Sequence, residues 1–340
     1  MCTYRLAEEC FLDIFIDEKL DGETVLAVIK NTLPISYAHL KHLKFMDRGI
    51  LVNGEHATVR RVLRKGDILS LATEDTSNSE ECDRVIPNGE LSLFIAYEDG
   101  DCVIPSKPSD MPTHPSHGHI DDTVANALAF MARSKGEPFV FRPVNRLDRN
   151  TSGLLIIAKS RISAGILSKA MTEGRIHKVY IAILEGELPD GEGYIDTYMR
   201  RTAESIIVRE NCKEGEGGDR ALTKYRVLFT KNGYTLVAAS PITGRTHQLR
   251  VHFSGLGAPI LGDDMYGNDS PYISRQALHS ALLSFPRVSD GENTVAISPL
   301  PEDMKKAALA VFGDDFDENA RFDGCRELLE SLSGINDTII

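Results

Sequence analysis

The sequence predicts an α+β protein made of two domains of unequal size joined by a linker. Strand-like and helix-like segments follow one another without the regular alternation that a doubly wound parallel sheet requires. Residues 73–89 are polar and acidic and lack hydrophobic periodicity, which predicts a linker between a small domain at 1–72 and a larger one at 90–312. Residues 313–340 read as an acidic C-terminal tail, in which CRELLESL has the spacing of an amphipathic helix.

The first domain combines a helix with a hairpin. SYAHLKHLKFMDRG has apolar residues at helical spacing, and ILVNGE turns at Asn53-Gly54, where both positions tolerate positive φ. RRVLRKGDILSLA then leads into a last apolar strand. This unit resembles the small RNA-binding domain named after ribosomal protein S-four, although the residues alone fit an ordinary small α+β domain equally well. The side chains that the resemblance assigns to RNA are Lys41, Lys44, Arg60 and Arg61.

Charge is distributed unevenly along a chain whose formal net charge is −12. Residues 72–100 contain eight acidic residues and one basic residue, whereas residues 141–182 contain eight basic and two acidic residues. Phosphate contacts supply much of the affinity of RNA-binding proteins, and the local potential decides where a phosphate backbone binds. The overall acidity therefore leaves room for an RNA-binding surface over residues 141–182.

Several features predict a cytoplasmic protein without membrane association. No apolar run approaches the roughly 18 residues that span a bilayer, and the N-terminus lacks the basic leader of a secretory signal. The six cysteines are scattered without a Cys-x-x-Cys pair, which is typical of reduced thiols and not of a disulfide framework or a zinc site.

The second domain contains strand signals and two strong helical patterns. The helical stretches are TVANALAFMARS and RISAGILSKAMTEG. The strand signals are LSLFIAYEDG, LLIIAKS, KVYIAILEG, TKYRVLFT and YTLVAAS.

The densest chemical signal is FRPVNRLDRNTSGLLIIAKS, residues 141–160. Asp148 lies between Arg146 and Arg149, and small turn residues then lead into a continuous apolar strand, so its carboxylate is expected to be held in place. The flanking guanidinium groups favour the ionised form, which nucleophilic attack on a sugar carbon requires. On these residues alone, a structural Arg–Asp pair in a loop is the favoured interpretation.

The second signal is SPITGRTHQLRVHFSGLGAPILGDDMYG, residues 240–267. Gln248, Arg250 and His252 alternate with apolar residues, and this period of two predicts a half-buried strand that delivers polar groups to one side. The later pair Asp263-Asp264 could suggest a metal site, but acids in a glycine-containing loop are more typical of turns and caps.

The third signal is IHKVYIAILEG, in which Lys178 and Tyr180 share one face of a predicted strand. A tyrosine at such a position can stack on a base, an interaction that contributes roughly 1–3 kcal/mol. An ordinary core tyrosine is the alternative.

Together these segments resemble the RluA-type pseudouridine synthases. In that family an H/N-R-L-D-x-x-T-S-G segment carries the catalytic aspartate, a K-x-Y strand carries an aromatic beside the target uracil, and G-R-x-H-Q-hydrophobic-R-V-H supplies a basic partner. YEDGDCVIPSKPSDMPTHPS and LHSALLSFPRV resemble the family's opening and closing segments, so the resemblance extends from residue 91 to about residue 300. Asn145 replaces a histidine common in the family, and Ser106 replaces the asparagine before Lys-Pro.

The resemblance implies a mixed, mostly antiparallel β-sheet in the catalytic domain and a reaction without metal or other cofactor. It makes Asp148 the catalytic residue, with Tyr180 beside the uracil, Leu249 on its other side and Arg245 as the salt-bridge partner of Asp148. The further residues that it assigns to RNA are Arg146, Arg149, Lys178, His247, Gln248 and Arg250.

The expected substrate is structured RNA, with ribosomal RNA of the large subunit favoured and transfer RNA as the second choice. The enzyme is expected to be a monomer. Two other functions are compatible with parts of the sequence. A non-catalytic RNA-binding factor could retain the fold, and a carboxylate-based glycosidase would need a second positioned carboxylate as its acid. The loop histidines His114, His117 and His119 could suggest a metal site, but the family uses none.

Overall fold

Two β-sheets organise the part of the chain that the computed structural model describes, which is residues 4–7, 11–35, 37–73, 85–116, 118–189, 191–203, 205 and 207–332. The first has five strands and the second has twelve. Among the described residues, neighbouring strands are antiparallel at every pairing except that of Ser152–Leu154 with Leu278–Pro286. The predicted α+β class and the mixed, mostly antiparallel sheet are confirmed.

The N-terminal sheet has the strand order β1-β2-β5-β3-β4 and is covered by two helices. Asn53 (φ 54°) and Gly54 (φ 82°) form the predicted tight turn between β3 and β4. The apolar stripe of the predicted helix is buried, since Leu40 and Leu43 join the domain core. The elements are β1 (Tyr4–Ala7), β2 (Phe11–Phe15), α1 (Val25–Thr32), α2 (Tyr37–Phe45), β3 (Ile50–Val52), β4 (Glu55–His56) and β5 (Ile68–Ala72).

The large sheet follows the order β13-β12-β14-β15-β11-β16-β9-β7-β10-β8, with β6 beside β7 and β17 beside β16. Its strands are β6 (Phe94–Glu98), β7 (Cys102–Lys107), β8 (Arg142–Pro143), β9 (Ser152–Leu154), β10 (Ile157–Ala158), β11 (His177–Glu185), β12 (Glu192–Arg201), β13 (Arg209–Cys212), β14 (Asp219–Lys231), β15 (Tyr234–Pro241), β16 (Leu278–Pro286) and β17 (Asn293–Ile297). Its helices are α3 (Val124–Ser134), α4 (Arg161–Thr172), α5 (Gln248–Gly255), α6 (Glu302–Phe312) and α7 (Glu318–Leu332), with a 3₁₀ turn at Gly313–Asp315.

Two sequence-based predictions for this domain are wrong. The apolar run after Asp148 is not one continuous strand, because it pairs first with β7 and β16 as β9 and then with β7 and β8 as β10. Residues 248–255 are the helix α5 and not a strand. Both the apolar and the polar members of that segment are buried, so its alternation does not separate a core face from a solvent face.

The N-terminal domain contacts α4 directly. Ile162 is fully buried within the N-terminal core cluster, and Gly165 lies so close that a Cβ there would be 2.6 Å from the carbonyl oxygen of Pro34. The absence of a side chain at residue 165 is therefore a condition for this close approach.

The C-terminal helix packs on the large sheet. Cys325 and Leu328 of α7 are fully buried in the main core cluster, and a Cβ at Gly324 would be 2.4 Å from Cδ2 of Leu228. The helix predicted from CRELLESL is thus present and contributes to the core. The predicted linker lies mostly outside the described residues, and Val85 near its end is buried against Ala125 and Ala129 of α3.

Candidate active site

A cavity of about 850 Å³ opens where the loop before β9, the strand β11 and the turn before α5 meet. Residues of all three chemical segments contribute to its wall, including Asp148, Lys178, Tyr180, Arg245 and Leu249. The fold therefore brings together side chains that are about a hundred residues apart in the sequence.

Asp148 presents its carboxylate to this cavity, with one third (33%) of the side chain exposed. Its carbonyl oxygen accepts a hydrogen bond from the Thr151 amide at 3.0 Å, which closes the turn into β9. Nε2 of His247 and Nη1 of Arg250 each lie 3.9 Å from Oδ2 of Asp148. Two nitrogen-bearing side chains thus face the carboxylate from the α5 side.

Buried polar side chains donate hydrogen bonds to the backbone of the loop that carries Asp148. Nζ of Lys107 donates to the carbonyl oxygens of Pro108 (2.9 Å) and Arg149 (2.7 Å). Nη1 of Arg275 donates to the carbonyl of Asn150 at 3.1 Å. Burial is the main reason why the pKa of Lys107 is lowered to about 7. These contacts fix the backbone on the C-terminal side of Asp148.

Lys107 and Arg275 were not predicted as site residues. Lys107 lies within the opening segment that resembles the family, and Arg275 lies three residues before the closing segment LHSALLSFPRV. Lys107 is fully buried, and Arg275 is 6% exposed. A lone basic residue in an apolar segment is the sequence signal that could have identified them, because buried cations need specific partners.

The turn into α5 depends on His247 and Gln248. His247 has a left-handed backbone (φ 60°) immediately before the helix. Oε1 of Gln248 accepts from the Arg245 amide at 3.0 Å and the Thr243 hydroxyl at 2.8 Å, while its Nε2 donates to the Leu222 carbonyl at 2.9 Å. The side-chain amide of Gln248 therefore stabilises the turn, and these contacts support a structural role for this residue.

Arg250, and not Arg245, is the arginine beside Asp148. The guanidinium of Arg250 forms a two-pronged ion pair with Asp263, with both nitrogen–oxygen distances at 2.7 Å. Arg245 instead lies 3.5 Å from the carboxylate of Asp219 and donates to the Arg220 carbonyl at 3.1 Å. The predicted ion pair between Arg245 and Asp148 is not formed, because the helical turn brings Arg250 to the aspartate.

Tyr180 and Leu249 form apolar parts of the wall. Tyr180 is 7% exposed and lies on β11 opposite Ser280 of β16, and Leu249 is 5% exposed at the start of α5. Burial raises the pKa of the Tyr180 phenol, so the phenol remains protonated. Lys178 also lines the cavity, and burial lowers the pKa of its ammonium group.

The two arginines that flank Asp148 in the sequence have different surroundings. Arg146 is exposed on the cavity wall. Arg149 is ion-paired with Asp110, to which its Nε donates at 2.8 Å. The positive charge of Arg149 is thus committed to another carboxylate, and the basic groups found against Asp148 come from the α5 region.

The remaining predicted residues lie outside the cavity. Lys41, Lys44 and Arg60 are exposed in the N-terminal domain and Arg61 is half-buried there.

Within the described part of the chain, no group of three or more histidines, cysteines or acids is arranged to hold a metal ion. Asp263 is occupied by Arg250, His114 packs against the Phe141 ring, and His117 lies outside the described residues.

The three cysteines in the described residues, Cys102, Cys212 and Cys325, are free thiols. Among the helices of the described residues, none combines the length and apolarity that a bilayer crossing demands.

Chemically, the cavity joins a partly exposed carboxylate, basic neighbours and an apolar wall that contains an aromatic ring. A carboxylate held in this way can act as a nucleophile or a base. The surrounding cavity is large enough to hold a nucleotide-sized group.

The chain is similar to known proteins in both sequence and fold. Residues 101–255 match the family model described as RNA pseudouridylate synthase. The chain is 36% identical over 274 residues to the uncharacterized RNA pseudouridine synthase YjbO of Bacillus subtilis, with 81% of this chain and 94% of that protein covered. It is 31% identical over 315 residues to the ribosomal large subunit pseudouridine synthase D of Vibrio cholerae, with 88% and 94% covered. Among solved structures, human RNA pseudouridylate synthase domain containing 1 superposes with a TM-score of 0.52 at 29% identity, covering 65% of this chain and 89% of that one.

Proposed function

Because the chain belongs to the RNA pseudouridylate synthase family, and is therefore an RNA pseudouridine synthase, we propose that it acts on ribosomal RNA through Asp148. The observation that carries the assignment of the catalytic residue is the carboxylate of Asp148 in the cavity wall, faced at 3.9 Å by both His247 and Arg250. Ribosomal RNA is supported by the relatives named as ribosomal large subunit pseudouridine synthases, and transfer RNA is the second choice.

In the proposed reaction the target uridine leaves its stack, at a cost of a few kcal/mol, and enters the cavity. The uracil packs between Tyr180 and Leu249. The Asp148 carboxylate either attacks C1′ of the ribose or removes the C2′ proton, and in both routes the electrons of the C1′–N1 bond leave with the uracil. The detached uracil rotates and C5 bonds to C1′. In the first route the bond between C1′ and the Asp148 carboxylate breaks as C5 attacks, and in the second the proton held by Asp148 returns to C2′ as C5 adds to the glycal. The proton on C5 is then lost while N1 gains one.

Arg250 and His247 keep the carboxylate in position and stabilise its negative charge before the attack. Arg146, Lys178 and Arg245 on the cavity wall bind the phosphates around the flipped nucleotide, and Arg149 orders the adjoining loop. The basic residues Lys41, Lys44, Arg60 and Arg61 bind the RNA backbone farther away. The working form that we propose is a cytoplasmic monomer.

The test uses purified protein and unmodified ribosomal RNA, with pseudouridine mapped by carbodiimide labelling and primer extension and RNA affinity measured separately. Asp148→Asn is expected to abolish pseudouridine formation and retain RNA binding. The matched control is Asp290→Asn, which replaces an aspartate that pairs with Arg287 outside the cavity and is expected to retain activity.

Appreciable activity of Asp148→Asn would reject the catalytic assignment. Modification of transfer RNA but not of ribosomal RNA would reject the proposed substrate while retaining the reaction. Release of free uracil by the wild-type protein would indicate a glycosidase in place of an isomerase.

A further inference from the structure

The side chain of Tyr266 lies behind the two residues that face Asp148. Its hydroxyl group is 2.8 Å from Nδ1 of His247, and its ring centroid is 5.0 Å from the Cζ atom of Arg250. Tyr266 is not among the cavity-lining residues. It therefore contacts both neighbours of the carboxylate from the side opposite to the substrate space.

Tyr266 is itself held firmly. Its amide donates to Oδ1 of Asp263 at 3.1 Å, and its carbonyl accepts from the hydroxyl of Ser254 at 2.7 Å. Asp263 is the carboxylate that binds Arg250. The position of the phenol ring is thus fixed by the same loop that fixes the arginine.

The hydrogen bonds of the phenol determine where its proton points. The backbone N–H of Arg209 donates to the Tyr266 oxygen at 2.9 Å. The phenol oxygen already accepts that hydrogen bond, and burial raises the pKa of the phenol so that it keeps its proton. The hydroxyl hydrogen is then available to the other neighbour of the oxygen, Nδ1 of His247.

A hydrogen bond donated to Nδ1 selects one form of the neutral imidazole. Burial is the main cause of a lowered pKa for His247, so the neutral ring is favoured near pH 7. When Nδ1 is the acceptor, the single ring proton must be on Nε2. Nε2 is the nitrogen that lies 3.9 Å from Asp148.

We propose that Tyr266 is a positioning residue that holds His247 in the Nε2–H tautomer, so that an N–H group and not a lone pair faces the carboxylate of Asp148. This inference rests on the proposed role of Asp148. The opposite tautomer would direct a lone pair at a carboxylate and destabilise the ionised form on which the reaction depends. The hydroxyl of Tyr266, with no contact to the substrate, thereby supports the charge of the reacting group.

The direct test is the tautomer of His247 in the free full-length protein. Multiple-bond ¹H–¹⁵N spectra of histidine-labelled protein distinguish Nε2–H from Nδ1–H, and the His247 signals are assigned by their loss in His247→Gln. The wild type is expected to show Nε2–H, and Tyr266→Phe is expected to populate Nδ1–H. A wild-type Nδ1–H form, or an unchanged Nε2–H form in Tyr266→Phe, would overturn the inference.

A kinetic cycle separates this role from a general structural one. The side-chain amide of His247→Gln places an N–H near the position of Nε2 and has no tautomer to select. Tyr266→Phe is expected to lower kcat by about three- to tenfold, the effect of one hydrogen bond, with little change in KM for RNA. The same substitution in the His247→Gln background is expected to have no further effect on kcat.

An equal loss of kcat in both backgrounds would show that Tyr266 acts through the Arg209 amide or through packing, and would overturn the inference. The tautomer measurement needs neither RNA nor turnover, so an active Asp148→Asn variant would reject the proposed catalytic role without changing the tautomer result. Should Tyr266→Phe fail to fold, a wild-type Nδ1–H form would still overturn the inference.

Discussion

Arg250 lies 3.9 Å from the carboxylate of Asp148 while the carboxylate of Asp263 holds it at 2.7 Å. The arginine thus completes its strongest hydrogen bonds away from the cavity and presents its charge to Asp148 without a direct hydrogen bond. Asp263 is almost completely buried, so its charge depends on this partner.

Replacing Arg250 should therefore affect both turnover and stability. Arg250→Gln is expected to lower single-turnover rates by about a hundredfold or more and the free energy of unfolding by about 3–5 kcal/mol, since Asp263 is left buried and unpaired. The comparison variant Arg245→Gln loses an exposed ion pair and a hydrogen bond to the Arg220 carbonyl, and it is expected to change stability by about 1 kcal/mol or less. Urea denaturation measures the free energy of unfolding of both variants. Adding Asp263→Asn should restore stability to Arg250→Gln without restoring turnover, and recovery of both would contradict the proposed role.

Lys107 should make the stability of the protein depend on pH. Its pKa is lowered from 10.5 to about 7 in the folded state, so between these values the unfolded chain binds more protons than the folded one. The free energy of unfolding must then rise with pH across this window. Relative to Lys107→Met, the wild type is expected to gain about 2–3 kcal/mol between about pH 7 and about pH 9. Chemical denaturation at several pH values measures this difference, and parallel pH profiles for the two proteins would refute it.

Gly153 is required by the contact between β9 and β16. Its φ is 107°, and a Cβ would lie 2.2 Å from the carbonyl oxygen of Ser280. Gly153→Ala is expected to destabilise the protein by about 3 kcal/mol or more, because both the backbone and the neighbouring strand must shift. Gly244→Ala, which meets no atom within 4 Å, serves as the stability control. Similar thermal unfolding of the two variants would contradict this account of the strand contact.

The N-terminal basic residues should affect RNA affinity more than turnover. Substitution of Lys41, Lys44, Arg60 and Arg61 by Gln is expected to weaken binding and reduce the slope of log Kd against log salt by about three, because fewer counterions are released. The turnover rate at saturating RNA should change little, since these residues lie outside the cavity. Lys65→Gln is the matched control because its ammonium group is already paired with Glu18. An unchanged salt slope in the quadruple variant would exclude this surface from RNA binding.

Strong local patterns were sufficient to predict several elements. The periodicities of TVANALAFMARS and KVYIAILEG correspond to α3 and β11, because each element buries one continuous set of apolar residues. The segment at 248–255 failed because its polar residues are buried beside distant partners. His252, for example, contacts the Thr223 hydroxyl at 2.9 Å. Alternation indicates a strand only when the polar residues face solvent.

The resemblance of several segments in the right order, and no single segment by itself, indicated Asp148, Tyr180 and Leu249. These three residues line one cavity. The choice between Arg245 and Arg250 depended on the helical geometry of α5, which the alternating pattern concealed. Lys107 and Arg275 hydrogen-bond to the backbone of the loop that carries Asp148. Lys107 is about 40 residues from that loop in the sequence and Arg275 is more than a hundred, and nothing in their local sequence specifies these contacts.

The pairing of β9 with β16 joins two segments that are synthesised at very different times. Ser152 and His279, whose side chains are 2.9 Å apart, are separated by 127 positions in the chain. A growing polypeptide exposes the segment that carries Asp148 long before β16 has been synthesised. Contacts across such a distance form late, since the intervening loop must first lose its freedom. The loop that carries Asp148 therefore reaches its final position only after residue 279 has been synthesised, whereas the N-terminal residues proposed to bind RNA are made first.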